Sequence, residues 1–164
     1  MKIAVYPGSF DPVTMGHMDI IRRGAQMFDK LVVSVLINTN KKSLFTMEER
    51  VELLRKSVEG AGLTNVEVSS FSGLLADYTE QIGACTIVRG LRAVTDFENE
   101  FQLALINRKL NPNADTVFLV TSAENMYLSS SLVREVGSFG GDISEFVPPE
   151  VIGQVTARLV NKAE

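Results

Sequence analysis

The chain has 164 residues, of which 45% are hydrophobic and 22% are charged, and its formal net charge is −4. This length and composition predict one soluble globular domain over residues 1–164, in the cytoplasm. The acidic balance gives no overall attraction to nucleic acid or to anionic membranes. No apolar run approaches the roughly 20 residues that span a bilayer, and Met1-Lys2 leads directly into a strand pattern, so we expect no signal peptide.

Five short apolar runs, rich in β-branched residues, predict β-strands. They lie at 3–6, 31–37, 65–70, 86–89 and 116–120. Three of these runs are almost continuously apolar, as expected of strands that are covered on both faces. Helical patterns alternate with them, near 16–28, 47–59, 73–82, 96–110, 130–136 and 149–161.

Several element boundaries carry recognisable chemistry. Thr46 to Glu49 and Thr95 to Glu98 both fit the capping box, in which Thr and Glu satisfy each other's free backbone donors. Gly60 and Gly83 follow helical patterns, where a left-handed residue is expected. Pro148-Pro149 suits the start of the last helix.

The single cysteine, Cys85, excludes an internal disulfide and a cysteine-based metal cluster. Because it lies in an apolar stretch, we expect its side chain to be buried.

Strands that alternate with helices predict a doubly wound, Rossmann-like α/β domain with a parallel sheet and right-handed crossovers. We predict five strands in the order 3-2-1-4-5, with helices on both faces. This order places the first and fourth strands side by side, and ligands bind in the crevice at their carboxyl ends.

The turn after the first strand, Gly8 to His17, is the most informative segment of the chain. Gly8 and Gly16 lack a Cβ, so the backbone can approach a ligand closely. The free N–H groups of the following helix favour an anion such as phosphate. His17, the only histidine, lies at that helix start, where we expect a lowered pKa and a neutral imidazole. The same residues are also compatible with a surface histidine beside an ordinary glycine turn.

Three further segments would meet His17 at this crevice. Arg89-Gly90-Leu91-Arg92 follows the fourth strand with two planar guanidinium groups, which suit phosphate or are merely exposed on the surface. Ser129-Ser130-Ser131 precedes a short helix that carries Arg134, and its hydroxyls would hold a triphosphate or merely cap the helix. Lys41-Lys42 follows the second strand, where it would attract phosphate or simply be solvated.

The Thr14-Met15-Gly16-His17 turn resembles the signature of the nucleotidyltransferase superfamily, TxGH or HxGH. Nearly the whole chain is similar to one family within it, the bacterial phosphopantetheine adenylyltransferases. The matching segments are Tyr6 to Pro12, Lys41-Lys42, Phe45 to Arg50, Arg89 to Ala93, Asp96 to Glu100, and Ser129 to Ser131.

The resemblance implies transfer of the adenylyl group of ATP to 4′-phosphopantetheine, giving dephospho-coenzyme A and pyrophosphate. It implies direct in-line attack without a covalent intermediate. It also implies that Mg²⁺ accompanies ATP on phosphates and water, that the protein is a homohexamer, and that coenzyme A binds the same cleft as a feedback ligand. Asp11 is expected to brace the turn rather than to bind metal.

The family's site residues carry over by position. The implied ATP contacts are Ser9, Phe10, His17, Gly90, Leu91, Arg92, Glu100, Asn125, Met126, Tyr127, Leu128, Ser129, Ser130 and Ser131. The implied phosphopantetheine contacts are Ser9, Lys41, Leu75 and Arg89. The implied catalytic residues are His17, Lys41 and Arg92. The chain departs from the family at Asn99, where an aromatic is frequent, and at Asn125, where a bulky residue is frequent.

Two other functions stay open. Relatives with the same histidine motif transfer an adenylyl group to nicotinamide mononucleotide or a cytidylyl group to glycerol phosphate. A nucleotide-binding regulatory domain would explain the sheet and the glycines, although not the convergent His, Lys and Arg. A class I tRNA synthetase is excluded by the chain's length, its acidic charge and the lack of a KMSKS-like loop.

Overall fold

The computed structural model describes residues 1–37 and 42–161, and a parallel sheet of five strands forms its centre. The strands are β1 (Ile3–Gly8), β2 (Lys30–Leu36), β3 (Val66–Phe71), β4 (Thr86–Leu91) and β5 (Asp115–Val120). Their order is β3-β2-β1-β4-β5, which confirms the predicted topology.

The two central strands separate toward their carboxyl ends. β1 pairs with β2 along its whole length, from Ile3 to Gly8. With β4 it pairs only at Ala4 and Val5, opposite Thr86 and Ile87. The later residues of β4 instead pair with β5. This divergence opens a crevice where the order of the strands reverses, as predicted for an open α/β sheet.

In the described part of the chain, six α-helices cover the sheet. They are α1 (Met15–Met27), α2 (Met47–Gly60), α3 (Leu75–Gln81), α4 (Val94–Leu110), α5 (Ser130–Ser138) and α6 (Ile152–Asn161). Alternate residues of β1 face opposite sides, as the pleat requires: Ala4 and Tyr6 join the core beneath α1, α2, α5 and α6, whereas Val5 joins a smaller core with Tyr78 of α3. Over residues 1–37 and 42–161, no helix is both long and apolar enough to cross a membrane.

Helix α4 is unusual because its apolar side chains face solvent. None of its residues whose exposure is described is buried. The exposed apolar side chains are Val94, Phe97, Phe101, Leu103, Leu105, Ile106 and Leu110. Apolar side chains exposed in this number on one helix mark a candidate interaction surface.

The capping prediction was right for α2 and wrong for α4. Glu49 N donates to Thr46 Oγ1 at 3.2 Å, and Thr46 N donates to Glu49 Oε2 at 2.8 Å. Helix α4 begins at Val94 with Ala93 as its N-cap and no side-chain cap. The predicted Thr95 to Glu98 box is therefore already inside the helix.

The predicted helix ends were partly right. Gly83 follows α3 with a φ of +67°, which confirms its left-handed conformation. Gly60 is the last residue of α2, and the left-handed residue is Gly62, with a φ of +68°. Pro149 begins a 3-10 turn that leads into α6, as its missing N–H and fixed φ favour.

The expected burial of Cys85 was wrong, since its side chain is exposed. Cys85 lies one residue before β4, at the amino edge of the sheet, where its N–H donates to Ile3 O at 3.0 Å. The helices that cover the centre of the sheet do not cover this edge, so an apolar sequence context does not produce burial there.

Candidate active site

A cavity of about 390 Å³ lies at the carboxyl ends of β1 and β4. It is walled by the β1–α1 turn, the end of β4, the first turns of α4 and the start of α5. The site thus forms where the central strands diverge, and it brings together three of the four segments that the sequence predicted to meet. Lys41 of the fourth segment lies outside the described residues, whereas Lys42 lines an adjoining cavity.

His17 lies at the third position of α1, where it completes a reciprocal cap with Thr14. His17 N donates to Thr14 Oγ1 at 3.3 Å, and Thr14 N donates to His17 Nδ1 at 3.0 Å. A ring nitrogen that accepts from a backbone N–H carries no proton, so a neutral imidazole holds its proton on Nε2. The helix cap therefore sets the tautomer of His17.

The environment keeps this imidazole neutral. Burial, together with the nearby positive charges of Arg92 and Arg89, lowers the pKa of His17 from 6.5 to about 4. The lowered pKa confirms the predicted direction, but burial and the two arginines are its main causes rather than the helix start. Near neutral pH, His17 can donate a hydrogen bond without carrying a charge.

The ring of Phe10 packs against the imidazole of His17. Its ring meets the imidazole edge-on, with 4.9 Å between the ring centres, and meets Tyr6 at 5.4 Å. A Cβ at Gly8 would lie only 2.9 Å from the Phe10 ring, so this close packing requires glycine. Phe10 itself has a φ of +47°, which is uncommon for a residue other than glycine and indicates local strain.

Arg89 is held by a carboxylate inside the protein. Its Nε and Nη2 donate to the two oxygens of Glu100 at 2.7 and 2.6 Å, and its Nη1 donates to Pro7 O at 2.9 Å. Burial alone would lower the pKa of Arg89, but the hydrogen bonds and charge of Glu100 raise it overall. The pair is a fixed part of the wall, oriented before any substrate arrives.

Arg92 ties β4 to the start of α5. Its Nη1 donates to Leu128 O at 3.0 Å, and its Nε lies 3.6 Å from Asp96. Ser129 caps α5 by accepting from Leu132 N at 3.1 Å, and Ser130 Oγ donates to Pro12 O at 2.7 Å. The serine run therefore joins α5 to the β1–α1 turn as well as facing the cavity.

Asp11 braces the turn, as predicted. Its carboxylate oxygens accept from Leu44 N at 2.8 Å and from Phe45 N at 2.9 Å. These bonds connect the β1–α1 turn to the segment that precedes α2. Since both oxygens are engaged with backbone donors, Asp11 fixes two loops relative to each other.

A second, apolar cavity of about 370 Å³ adjoins the first. Leucine and isoleucine side chains from α3 and α4 form much of it, including Leu75, Leu103 and Ile106. Five residues line both cavities: Pro7, Gly8, Ser9, Arg89 and Glu100. The Arg89–Glu100 pair is thus part of the boundary between a polar and an apolar cavity.

Most of the predicted site residues in the described part of the chain reach these cavities. Those that line the first cavity are Ser9, Phe10, His17, Arg89, Gly90, Arg92, Glu100, Leu128, Ser129 and Ser130. Leu75 lines the second, and Ser131 lines a smaller polar cavity beside the first. As far as the described residues form it, the wall of the first cavity does not include Leu91, Asn125, Met126 or Tyr127.

Some residues of the site were not predicted. Thr14 sets the histidine tautomer, although sequence inspection found only the two Thr–Glu capping boxes because His17 replaces the usual acidic or amide partner. Thr121 also lines the cavity without a local motif to mark it, and Asp96 lines it although the matching Asp96 to Glu100 segment gave it no role. Asn99 lines it as well.

Known proteins resemble the chain in both sequence and structure. The cytidylyltransferase-like family model matches residues 5–136. The phosphopantetheine adenylyltransferase of Heliobacterium modesticaldum is 56% identical over 158 residues, covering 96% of this chain and 93% of the relative. That of Caldanaerobacter subterraneus is 57% identical over 148 residues, covering 90% and 91%.

The fold also matches a solved structure. The Plasmodium falciparum nicotinic acid mononucleotide adenylyltransferase complexed with NaAD superposes with a TM-score of 0.73, covering 99% of this chain and 98% of that one. At 16% identity this likeness shows the fold alone. The family model and the close relatives go further: this chain belongs to the phosphopantetheine adenylyltransferase family, within the cytidylyltransferase-like proteins.

Proposed function

We propose that the protein transfers the adenylyl group of ATP to 4′-phosphopantetheine. A phosphate oxygen of the acceptor attacks the α-phosphorus of ATP and forms the new P–O bond. The bond from this phosphorus to the bridging oxygen breaks, and its electron pair leaves with pyrophosphate. The products are dephospho-coenzyme A and pyrophosphate, as coenzyme A synthesis requires. Because a phosphomonoester is mostly dianionic at neutral pH, the acceptor needs no general base.

The observation that carries the proposal is the pair of adjoining cavities. The polar cavity offers a neutral histidine donor, two arginines and a serine run, which suit a nucleotide and its phosphates. The apolar cavity beyond Ser9 and Arg89 suits the long pantetheine arm, with Leu75 in contact with its uncharged part. A nicotinamide mononucleotide acceptor would leave this apolar cavity unused, so the geometry favours phosphopantetheine.

Each site residue then has a role. The Nε2 proton of His17 stabilises charge on the α-phosphate, together with Ser9 and Lys41. Arg92 and the serine run bind the distal phosphates of ATP. Arg89 has its donors engaged by Glu100 and Pro7, so we propose that it orients the acceptor phosphate through its positive charge.

Catalysis in this proposal is mainly positioning and charge neutralisation, because two anions must approach each other. We propose that Mg²⁺ enters with ATP, as part of the substrate complex, and is held by phosphates and water.

The test is pyrophosphate release from ATP and Mg²⁺ in the presence of 4′-phosphopantetheine or nicotinamide mononucleotide. Release with the pantetheine acceptor alone, with dephospho-coenzyme A as the product, supports the proposal. Release with the mononucleotide alone would keep the adenylyl transfer and change the acceptor. ATP binding without release under either acceptor would favour a regulatory nucleotide-binding domain.

We also propose that the protein assembles as a homohexamer, with the apolar side chains of α4 at contacts between subunits. Exposed apolar surface of this extent marks an interaction site. A stable monomer in light scattering would contradict this assembly.

Feedback by coenzyme A is a further proposal, since that molecule combines a pantetheine arm with an adenine nucleotide and matches both cavities. Competition of coenzyme A with both substrates tests it. A protein that uses ATP and phosphopantetheine would work in the cytoplasm, where both are available.

A further inference from the structure

A small polar cavity of about 230 Å³ lies beside the nucleotide cavity, and its cationic residues have no role in the site already described. Of the described residues, three cationic side chains line it: Lys42, Arg50 and Arg134. We call it the cationic pocket. Lys42 and Arg134 belong to segments that the sequence analysis singled out, yet neither has a role in the site described so far.

The cationic pocket has an excess of positive charge. Among the described residues, Asp11 is the only carboxylate in its wall, and its oxygens already accept from two backbone N–H groups. Three cations against one carboxylate leave an excess of two positive charges. Arg134 Nη1 is 3.4 Å from Asp11 Oδ2 and donates to Asp11 O, so this one carboxylate is shared as well.

The burial of Arg50 raises the free-energy cost of this excess positive charge. Its residue is only 6% exposed, and its Nη1 and Nε donate to the carbonyls of Ser9 and Thr46 at 2.9 and 3.3 Å. Within the described part of the chain, no carboxylate lies at ion-pair distance from it. Charged residues are seldom buried without an ionic partner. A bound anion would supply that partner.

The position of the pocket identifies the anion. Of the described residues, Ser9 lines all three cavities: the polar cavity, the apolar cavity and the cationic pocket. Adenylyl transfer also has three branches at the α-phosphorus, namely the nucleoside, the acceptor and the leaving pyrophosphate. The first two cavities suit the nucleoside with its nearer phosphates and the acceptor, and the cationic pocket continues from the serine run toward the far end of the third branch.

We propose that the cationic pocket binds the far end of the leaving pyrophosphate, beyond the part that Arg92 and the serine run hold, with Lys42 and Arg134 as its ligands and Arg50 as a fixed positive charge behind them. This inference rests on the proposed function. As the bond between the α-phosphorus and the bridging oxygen breaks, negative charge grows on the pyrophosphate beside these cations, which stabilise it. Ser130, which lines both the nucleotide cavity and the pocket, connects the two.

The test is calorimetric binding of inorganic pyrophosphate to the full chain, without ATP or acceptor. The variants are Lys42→Gln and Arg134→Gln. The matched control is Arg55→Gln, which makes the same charge change at an exposed position of α2. Losing a charge-assisted contact should weaken pyrophosphate binding by about tenfold or more in each pocket variant. The control should bind within about twofold of wild type, since exposed charges at a distance are screened.

A kinetic readout separates pyrophosphate binding from general damage. In both pocket variants, the inhibition constant of pyrophosphate should rise while the KM of phosphopantetheine stays near its wild-type value. Unchanged pyrophosphate binding in both variants would overturn the inference. So would a loss confined to Arg134→Gln with a lowered melting temperature, because Arg134 would then only brace the β1–α1 turn.

Failure of the proposed function gives a different pattern. Pyrophosphate binding is measured without turnover, so its loss in both variants would establish the anion pocket even in a protein that releases no pyrophosphate with phosphopantetheine. Conversely, normal turnover with unaltered pyrophosphate binding in the variants would refute the pocket and leave the adenylyl transfer intact.

Discussion

His17 offers the sharpest test of the electrostatic account, through the substitution His17→Gln. Glutamine is one of the two usual partners in a capping box, so its side-chain oxygen can replace Nδ1 as the acceptor for Thr14 N. The variant keeps the cap of α1 and removes the titrating ring. His17→Ala would remove both, and its loss of stability would not isolate the ionisation.

The expected change in the free energy of unfolding with pH follows from the pKa of His17, which burial and the two arginines lower from 6.5 to about 4. Between these values the unfolded chain binds the proton and the folded chain does not, so acid favours unfolding. The stability is fully present above 6.5 and is lost as the pH falls toward about 4. The full loss is about 3 kcal/mol, of which about 2 kcal/mol is already lost near pH 5.

Urea unfolding of both proteins, near pH 7 and near pH 5 and at one protein concentration, measures this loss. We expect the wild-type protein to lose about 2 kcal/mol more than His17→Gln between these pH values. Because the chain has a single histidine, the NMR signal of its ring reports the same ionisation directly. Turnover of the variant should fall by about 10²–10³-fold, as for the loss of one charge-stabilising donor.

Equal losses of stability in the two proteins would refute the reasoning, and so would an NMR titration of the ring near 6.5, its ordinary pKa. Either result would mean that His17 gains a proton as readily in the folded protein as in the unfolded chain. The role of His17 as an uncharged donor at neutral pH would then lose its physical basis, whatever the effect of the substitution on turnover.

Three other substitutions test separate parts of the site and the fold. Gly8→Ala places a Cβ 2.9 Å from the Phe10 ring, so displacement of this support for the histidine should lower kcat by about tenfold or more; an unchanged kcat would contradict the packing argument. Glu100→Gln removes the charged partner of Arg89 and should cost about 1–3 kcal/mol in urea unfolding; KM should rise for both substrates, and a change in only one KM would contradict a wall shared by both cavities. Thr46→Ala breaks the cap of α2 and should cost about 1 kcal/mol with normal pyrophosphate release; loss of that release would mean that the α2 cap also supports the site.

The fold class was predictable because its signals are local and repeated. Apolar β-branched runs separated by helical patterns indicate a covered parallel sheet, and the predicted strand order was one of several that doubly wound sheets adopt. The wrong predictions concern residues at which the tertiary structure overrides a local sequence pattern. Cys85 is in an apolar run but at the uncovered edge of the sheet, and the Thr95 to Glu98 pattern lies within a helix that begins one residue earlier.

The site was predictable only as a set of residues. Glycine turns, arginines at a strand end and serines before a helix indicate phosphate, and the structure brings these segments together. The hydrogen-bonded pairs that these residues form were not predictable, because such pairs depend on how far β1 and β4 separate. The sequence predicted that Arg89 is free to bind phosphate. In the fold, Arg89 donates hydrogen bonds to Glu100, which lies eleven residues later on α4. The cationic pocket likewise draws its residues from two separate loops and two helices.

Position 17 shows why sequence patterns for folding and for catalysis can obscure each other. A capping box is recognised by Glu or Gln at the third helical position, and a catalytic histidine is recognised by its neighbours in a motif. Here one side chain does both: Nδ1 closes the cap with Thr14, and this bond leaves the proton on Nε2. The catalytic tautomer is thus a consequence of helix formation. It follows that Thr14, which has no polar contact with the proposed reaction centre beyond His17, determines which end of the imidazole can donate.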